Sequence, residues 1–483
     1  MTPNQQDTDL LYLNGEEYEF SIVLSNPDRR YVLPKILFDN LCVVENLLDW
    51  VITGHLDYNN DYEQVERTKT SDTKKYSEKF YYRMDGTDVI EIWLKPTFSE
   101  TPYQSAVKIP EVKEKMFLAF TGTIYDSQDL SPSLISSKKK RIYFWSKLYN
   151  KAIERNTSFS SGEYVASING SSPDRTDQDR AVPTGTLLKY LISQKLGGTI
   201  SKTAWDTGGN SIFYTAPATF SLNDSIDLLM DSHVDKDGYP AILDYNRFTD
   251  EFQLVSYKTL FDNYDASLKE ILSFPDNTNQ DAPIGPARAK RNNTFGVQQF
   301  SLITDYRHTK MSGMDSIKAI TSKNVSWYDP LTKTFKTTMT DNHIVSAKNK
   351  FKDLTNKLNR SLATPMFSLN NEKKDNLAIE HRYISGAYRS MGGVAAGLAN
   401  TLRGALFLND CIHFSVLGLP IRTPGTFIEI ASDKDLQGIW EDRFLGVWLV
   451  TDVVHNIGIS TYTNDVVAIK PNATEGFDVP EGV

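Results

Sequence analysis

The sequence predicts a mainly β fold interrupted by a small α+β unit, on three observations. Aromatic residues are abundant: 24 Tyr, 24 Phe and 7 Trp, or 11% of 483 residues. Short runs rich in Val, Ile, Thr and Tyr recur, bounded by Gly, Pro, Asn and Asp, which is the signature of strands and turns. Between Val182 and Tyr257 the texture changes to helix, strand, helix and hairpin.

In chain order, Leu10–Leu13, Asn14-Gly15 and Tyr18–Leu24 read as a hairpin, because Asn-Gly suits the positive φ values of a tight turn. Val43–Asp57 reads as extended, with Gly54 at a bulge or a close-packing point. Val89–Leu94 is a strand that Lys95-Pro96 ends, and residues 59–80 before it form a polar, exposed excursion. Met116–Tyr125 and Ile142–Trp145 are further strands. The basic run Lys138-Lys139-Lys140-Arg141 between them reads as a solvated face rather than an anion site. Residues 156–180 are rich in Ser, Gly and Asp and read as loop.

In the α+β stretch, Leu187, Leu188, Leu191 and Ile192 form the apolar face of a helix that Gly197-Gly198 stops. Ile212–Tyr214 is extended. Ser221 caps a second helix carrying Leu222, Ile226, Leu229 and Met230 at helical spacing, with Asp224 in its first turn. Tyr239–Tyr245 and Phe252–Tyr257 pair as a hairpin. Residues 275–294 read as a linker or exposed loop. Beyond it lie strands at Val297–Asp305, Asn324–Tyr328 and Thr334–Met339, with a short helix at Met311–Ile320, an amphipathic stretch at Ser346–Ser361 and a glycine-rich helical face at Tyr383–Leu406. Cys411–Leu417, Thr426–Ile430, Phe444–Val454 and Asp465–Ile469 close the chain as β structure.

Charge and composition restrict function. With 52 Lys+Arg against 61 Asp+Glu the formal charge is −9, which excludes a bulk-basic nucleic-acid binder. Two cysteines, Cys42 and Cys411, supply neither a disulfide framework nor a thiolate cluster. No run approaches the ~18 apolar residues of a membrane helix, and Met1–Asp9 is polar, so the expectation is a soluble chain without a leader and without membrane insertion.

The sequence nominates no catalytic, cofactor-binding or metal-ligating residue. P-loop, dinucleotide, zincin and nucleophile-elbow motifs are missing. His233-x-Asp235-x-Asp237-Gly238 resembles a calcium loop, but His holds the first ligand position and no bidentate Glu closes it, so turn chemistry is the better account. His413 and His455 fall within strands and read as satisfied structural histidines.

Three blocks in order carry a family resemblance. They are VENLLDWVITGHLDYN (44–59) with DGTDVIEIWLKP (85–96); the stretch Thr184–Leu260; and IHFSVLGLPIRTPGTFIEI (412–430) with FLGVWLVTDVVHNIGISTYTNDVVAI (444–469). The last contains Gly446, Trp448, Leu449, Val450, Val453 and His455, then Tyr462 and Asn464, similar to a "glycine-x-Tyr/Trp-aliphatic-valine-x-x-valine-x-His" strand followed by a "tyrosine-x-asparagine" strand. Together the blocks resemble the central baseplate hub protein of contractile-tailed bacteriophages, a family related to the base of type VI secretion spike proteins.

The resemblance implies two tube-type antiparallel β-barrels plus the α+β unit. The corresponding domains are residues 1–130 (first barrel), 131–275 (α+β), 276–295 (linker), 296–475 (second barrel with a helical insertion) and 476–483 (tail). It further implies a non-enzymatic homotrimer without cofactors, whose six barrels match a hexameric tail tube above while its threefold axis matches a trimeric needle or spike below. Tape-measure and baseplate wedge proteins are further implied partners. The expected location is the virion tail baseplate, assembled in the host cytoplasm, with an acidic lumen through which DNA passes without specific binding. The alternative, from a different class, is a β-rich carbohydrate-binding or carbohydrate-degrading tail protein that uses its aromatics as stacking platforms.

Overall fold

A computed structural model describes residues 18–26, 29–33, 37–59, 88–96, 117–130, 139–154, 159–169, 181–262 except 210, 213, 217, 218 and 238, then 268–272, 303, 305–309, 324–329, 334–339, 411–430, 446–459 and 461–469. The segments expected at Leu10–Leu13, Met311–Ile320, Ser346–Ser361 and Tyr383–Leu406, the linker at 275–294 and the excursion beyond Asn59 lie outside the described residues.

The N-terminal strands are β1 (Tyr18–Asn26), β2 (Arg29–Val32), β3 (Phe38–Asn46), β4 (Asp49–Asn59), β5 (Val89–Pro96), β6 (Phe117–Asp129) and β7 (Lys139–Trp145). They hydrogen-bond antiparallel in the order β3-β4-β7-β6-β5-β1-β2. The extended segment expected at Val43–Asp57 is a hairpin, turned at Leu47-Leu48. Alternate residues point inward, so Leu41 and Val43, Leu56, Ile90 and Ile92, Phe120, Ile142 and Phe144 share one apolar core. This half-sheet curls: Phe20 on β1 and Phe38 on β3, far apart in strand order, bring their rings to 4.5 Å. Gly54 is the close-packing point, since a Cβ there would overlap the Phe144 ring and the Cys42 carbonyl oxygen.

The α+β unit contains α1 (Tyr149–Ala152), α2 (Ser161–Asn169), β8 (Val182–Pro183), α3 (Thr184–Tyr190), β9 (Thr199–Trp205), β10 (Ser211–Ile212), α4 (Leu222–Ser232), β11 (Ala241–Asn246), β12 (Glu251–Ser256) and α5 (Tyr257–Asp262). Helix α3 runs on through a π-helical turn, Leu191–Leu196, and stops at Gly197, whose φ of +84° favours glycine. Helix α4 starts with a reciprocal cap: Asp224 N–H donates to Ser221 Oγ at 3.1 Å, and Ser221 N–H to Asp224 Oδ2 at 2.8 Å. Leu187, Leu188, Leu191, Ile226, Leu229 and Phe252 form the unit's core, which Trp50 and Val51 of β4 share.

One expectation is overturned here. Residues 161–169, expected as loop, are helix α2. Its Ser and Gly content hides the pattern, but Ser160 Oγ accepts from the Glu163 N–H at 3.1 Å, and Val165 and Ala166 pack into the α+β core or are buried beside it.

The remaining strands are β13 (Leu268–Leu272), β14 (Asp305–Thr309), β15 (Asn324–Asp329), β16 (Thr334–Met339), β17 (Cys411–Leu417), β18 (Phe427–Ile430), β19 (Gly446–Gly458) and β20 (Tyr462–Ile469). All but β15 and β16, which form a separate pair, join the N-terminal strands in one 13-stranded sheet. The join is β19. Residues Gly446–Leu449 pair with β18, residues Asp452–Gly458 pair with β3, and its other edge carries β20. At about 3.4 Å per residue a 13-residue strand is long enough to serve two neighbours in succession. The fold is thus mainly β with a small α+β unit. The two barrel regions are halves of one large antiparallel sheet that is not closed among the described residues, each half with its own apolar core.

Candidate functional site

The polar residues that most demand explanation lie where the two half-sheets and the α+β unit meet. Inward-facing positions carry Glu45 on β3, His455 on β19 and Asn464 on β20, all buried in an otherwise apolar interior. Burying such groups is costly unless each finds a partner. The partner that reaches in is Arg247, at the tip of the β11–β12 hairpin. Asn246 Oδ1 shapes that tip by accepting from the Phe248 N–H at 3.0 Å, and Asp250 takes a left-handed φ of 55°.

Arg247 donates from Nε to Glu45 Oε1 at 2.9 Å, from Nη1 to the Ala119 carbonyl of β6 at 3.1 Å, and from Nη2 to the Pro420 carbonyl. Its guanidinium lies 4.3 Å from the Phe120 ring centre and 4.2 Å from that of Phe248. One side chain therefore touches β3, β6 and the 418–426 loop at once. Tyr245, next to it, packs against both the N-terminal core and the α+β core.

The second half of the network lies on β19 and β20. His455 places Nε2 3.1 Å from Glu45 Oε1 and Nδ1 2.9 Å from the Tyr462 hydroxyl and 2.8 Å from Asn464 Nδ2. Asn464 Oδ1 accepts from the Leu419 N–H at 2.7 Å and from Arg422 Nη1 at 2.8 Å, and Arg422 also donates to the Leu417 carbonyl. Burial pushes the Glu45 carboxyl up, but the Arg247 guanidinium and the His455 ring outweigh it and hold the acid below its usual range. Burial lowers the His455 imidazole and favours its neutral form. Asp244, on the same hairpin as Arg247, is pushed up to about 6, first by burial and then by the Glu45 charge.

A second polar cluster holds the α+β unit together. Thr184 Oγ1 is 2.9 Å from His233 Nδ1, and His233 Nε2 is 3.4 Å from Asp206 Oδ2. The order hydroxyl, imidazole, carboxylate matches a nucleophile relay, but Thr184 and His233 are fully buried and no substrate could reach the hydroxyl. The cluster instead ties the Asp206–Gly209 turn to the start of α3 and the end of α4. In the His233–Asp237 stretch, Asp235 Oδ1 accepts from the Asp237 and Tyr239 N–H groups, each at 2.8 Å, the bonding of an Asx turn.

Of the residues in the C-terminal sequence block, His455, Tyr462 and Asn464 converge in the junction, while Trp448, Val450 and Val453 form apolar core beside it. Glu45, Arg247 and Arg422 lie inside the three sequence blocks, but no spacing singled them out. His413 is exposed, with Nε2 3.6 Å from Cys411 Sγ. In the basic run, Lys139 pairs with Asp39 at 2.9 Å, and Arg141 grips Asp57 through two bonds of 2.6 and 2.7 Å. Among the described residues no group of three or more His, Cys, Asp or Glu side chains is placed to hold a metal ion, and no helix is long and apolar enough to cross a membrane.

No protein-family profile and no curated protein matches the sequence. Solved structures that the chain aligns with include phage tail and type VI secretion proteins. The 43 kDa tail protein of prophage MuSo2 from Shewanella oneidensis aligns over 94% of this chain and 99% of its own, at 8% identity and a TM-score of 0.46. A tail protein from Neisseria meningitidis MC58 aligns over 93% and 96%, at 7% identity and 0.49. A type VI secretion component of E. coli, described as structurally similar to bacteriophage T4 tail proteins, aligns over 96% and 81%, at 8% identity and 0.39. At such identities these likenesses assign no residue a role.

Proposed function

We propose that this chain is a non-enzymatic hub protein of a contractile-tail baseplate. In this reading three copies join a sixfold tail tube to a threefold needle or spike and surround a channel for DNA. The reading is supported first by the ordered sequence blocks. The observation that carries it is structural: strand β19 pairs with both β18 and β3, so two half-sheets with separate cores form one continuous wall, and the α+β unit is pinned at their seam by Arg247. Three such walls would present six sheet units to a hexameric ring while keeping a true threefold axis. Such a part must transmit force without slipping, and a seam made of ladder hydrogen bonds and buried charge-assisted bonds suits that task.

The formal charge of −9 per chain fits a channel wall that repels phosphate rather than holding it. Tube, needle, tape-measure and wedge proteins are the partners this reading assigns, in the virion baseplate. The test is light scattering on the full chain, alone and with its needle protein, combined with binding to the tube protein. A mass of three chains and binding to both partners is expected. Monomer under both conditions with no binding to either would reject the reading.

One observation favours a second reading, carbohydrate binding. On the outer face of β6 and β7, exposed Tyr125 stacks on Trp145 at 3.8 Å and lies 6.2 Å from Tyr143, whose hydroxyl meets Gln128 at 3.1 Å. Retention of the chain on host polysaccharide, lost in Tyr125→Ala, would support it.

A further inference from the structure

The amide of Asn464 has one orientation open to it. Its Oδ1 accepts from the Leu419 N–H and from Arg422 Nη1, both of which can only donate. The NH2 end must then face His455, and it donates to Nδ1 at 2.8 Å. A ring nitrogen facing such a donor must be bare, so the imidazole proton sits on Nε2 and is donated to Glu45 Oε1. Fixed donors on both sides thus write one neutral tautomer into the junction. Lowering of the ring by burial agrees with this.

A second proton on His455 has no acceptor to meet at Asn464. The Tyr462 hydroxyl can rotate to accept it, but the Asn464 amide cannot turn without abandoning two donors. Burial opposes it as well, and of the charges around the ring Glu45 favours the proton while the two arginines oppose it. Facing it are Glu45 from β3, Arg247 from the hairpin tip and Arg422 from the 418–426 loop; Asp244 stands beside Glu45 and Arg247; Tyr462 and Asn464 from β20 and the Phe120 ring from β6, at 5.0 Å, are uncharged. An imidazolium would compete with Arg247 for Glu45 Oε1, the oxygen that both side chains face. Of the two arginines, Arg422 bonds within its own loop region and β20, whereas Arg247 is the link to another unit, on a turn with Thr249 and Asp250 exposed.

We infer that His455 is a proton-sensitive latch: its protonation expels Arg247 and frees the β11–β12 hairpin tip from the seam between the two half-sheets. The hairpin then keeps its own ladder and the apolar contacts of Ile242 and Tyr245 with the sheet, and its tip loses its polar hold on the seam.

Hydrogen exchange of the full chain, corrected for the intrinsic rate at each pH, tests this. Protection at the tip end of the hairpin, residues 245–252, should fall at least tenfold between pH 7.5 and pH 5 while that of α4 holds. The midpoint should lie between the ordinary carboxylate and histidine values, about 4.3 and 6.5. Asn464→Asp places an acceptor against Nδ1 and should move the midpoint to lower pH, and Asp244→Asn should leave it in place. Unchanged protection at pH 5, a midpoint below 4, a midpoint that follows Asp244→Asn, or a wild-type profile in Asn464→Asp would each overturn the latch. Should Asn464→Asp not fold, the wild-type and Asp244→Asn profiles decide alone.

Discussion

Glu45 and Arg247 stand 202 positions apart in the chain and form an ion pair at 2.9 Å with both side chains almost wholly buried. A buried pair of this kind contributes little over an apolar replacement of the same shape, yet it is costly to break from one side, because the remaining charge is left without a partner. Arg247→Met is therefore expected to lower the stability of the full chain by about 3–5 kcal/mol, read from the denaturant midpoint at constant slope. Adding Glu45→Gln removes the orphaned charge, so the double variant should be destabilised by less than the sum of the two single changes. Arg247→Lys keeps the charge but cannot serve Glu45, Ala119 and Pro420 together, and should fall between wild type and Arg247→Met.

The second prediction concerns Gly54, where β4 passes beneath the Phe144 ring. A methyl group there meets both that ring and the Cys42 backbone carbonyl. Gly54→Ala should cost about 1–3 kcal/mol, the usual penalty for overpacking. Since Phe144→Leu relieves one contact and not the backbone one, pairing the two changes should recover part of the loss and no more. Equal stability of Gly54→Ala and wild type would show that β3 and β4 separate freely at this point.

Much of this architecture was legible because its causes are local. The β19 and β20 strands, the stop at Gly197 and the Ser221–Asp224 cap each need only neighbours within a few residues, whereas the hairpin of β3 and β4 was read as one extended segment. The α2 helix was not legible, since only Val165 and Ala166 mark its buried side in a Ser- and Gly-rich stretch. At the junction, His455, Tyr462 and Asn464 stood out because cross-strand geometry brings close spacings together. Glu45 and Arg247 did not, because their partners lie 410 and 202 positions away and an isolated Glu or Arg carries no pattern. The double pairing of β19 is equally silent, as a strand's sequence does not say how many neighbours share its edge.

The reciprocal cap on α4 gives a prediction confined to one helix. Ser221 Oγ accepts from the Asp224 N–H, and Asp224 returns a bond to the Ser221 N–H. Ser221→Ala should destabilise by about 1 kcal/mol, with faster exchange in the first turn of α4 and none in the distant β17–β20 ladder. Ser221→Thr should retain most of the wild-type protection. A loss spread over the whole chain would mean that α4 does not open independently.

The last prediction is the opposite pH behaviour of two acids in one neighbourhood. Burial works against the charged Glu45, but Arg247 and His455 outweigh it and hold its folded value below that of the unfolded chain. Its contribution is present above about 4.3 and is lost as pH falls through the folded value. Asp244 is raised to about 6 by burial and the nearby Glu45 charge. Its sign is reversed: the stabilisation is fully present below the unfolded value of about 3.9 and is lost as pH rises through 6. Asp244→Asn should therefore gain stability relative to wild type as pH rises from 5 to 7.5, whereas Glu45→Gln should be destabilising at both values. Denaturant midpoints of the three proteins at pH 5 and 7.5 check this. A stability difference between Asp244→Asn and wild type that is the same at both pH values would show that the Asp244 carboxyl titrates as it would in water.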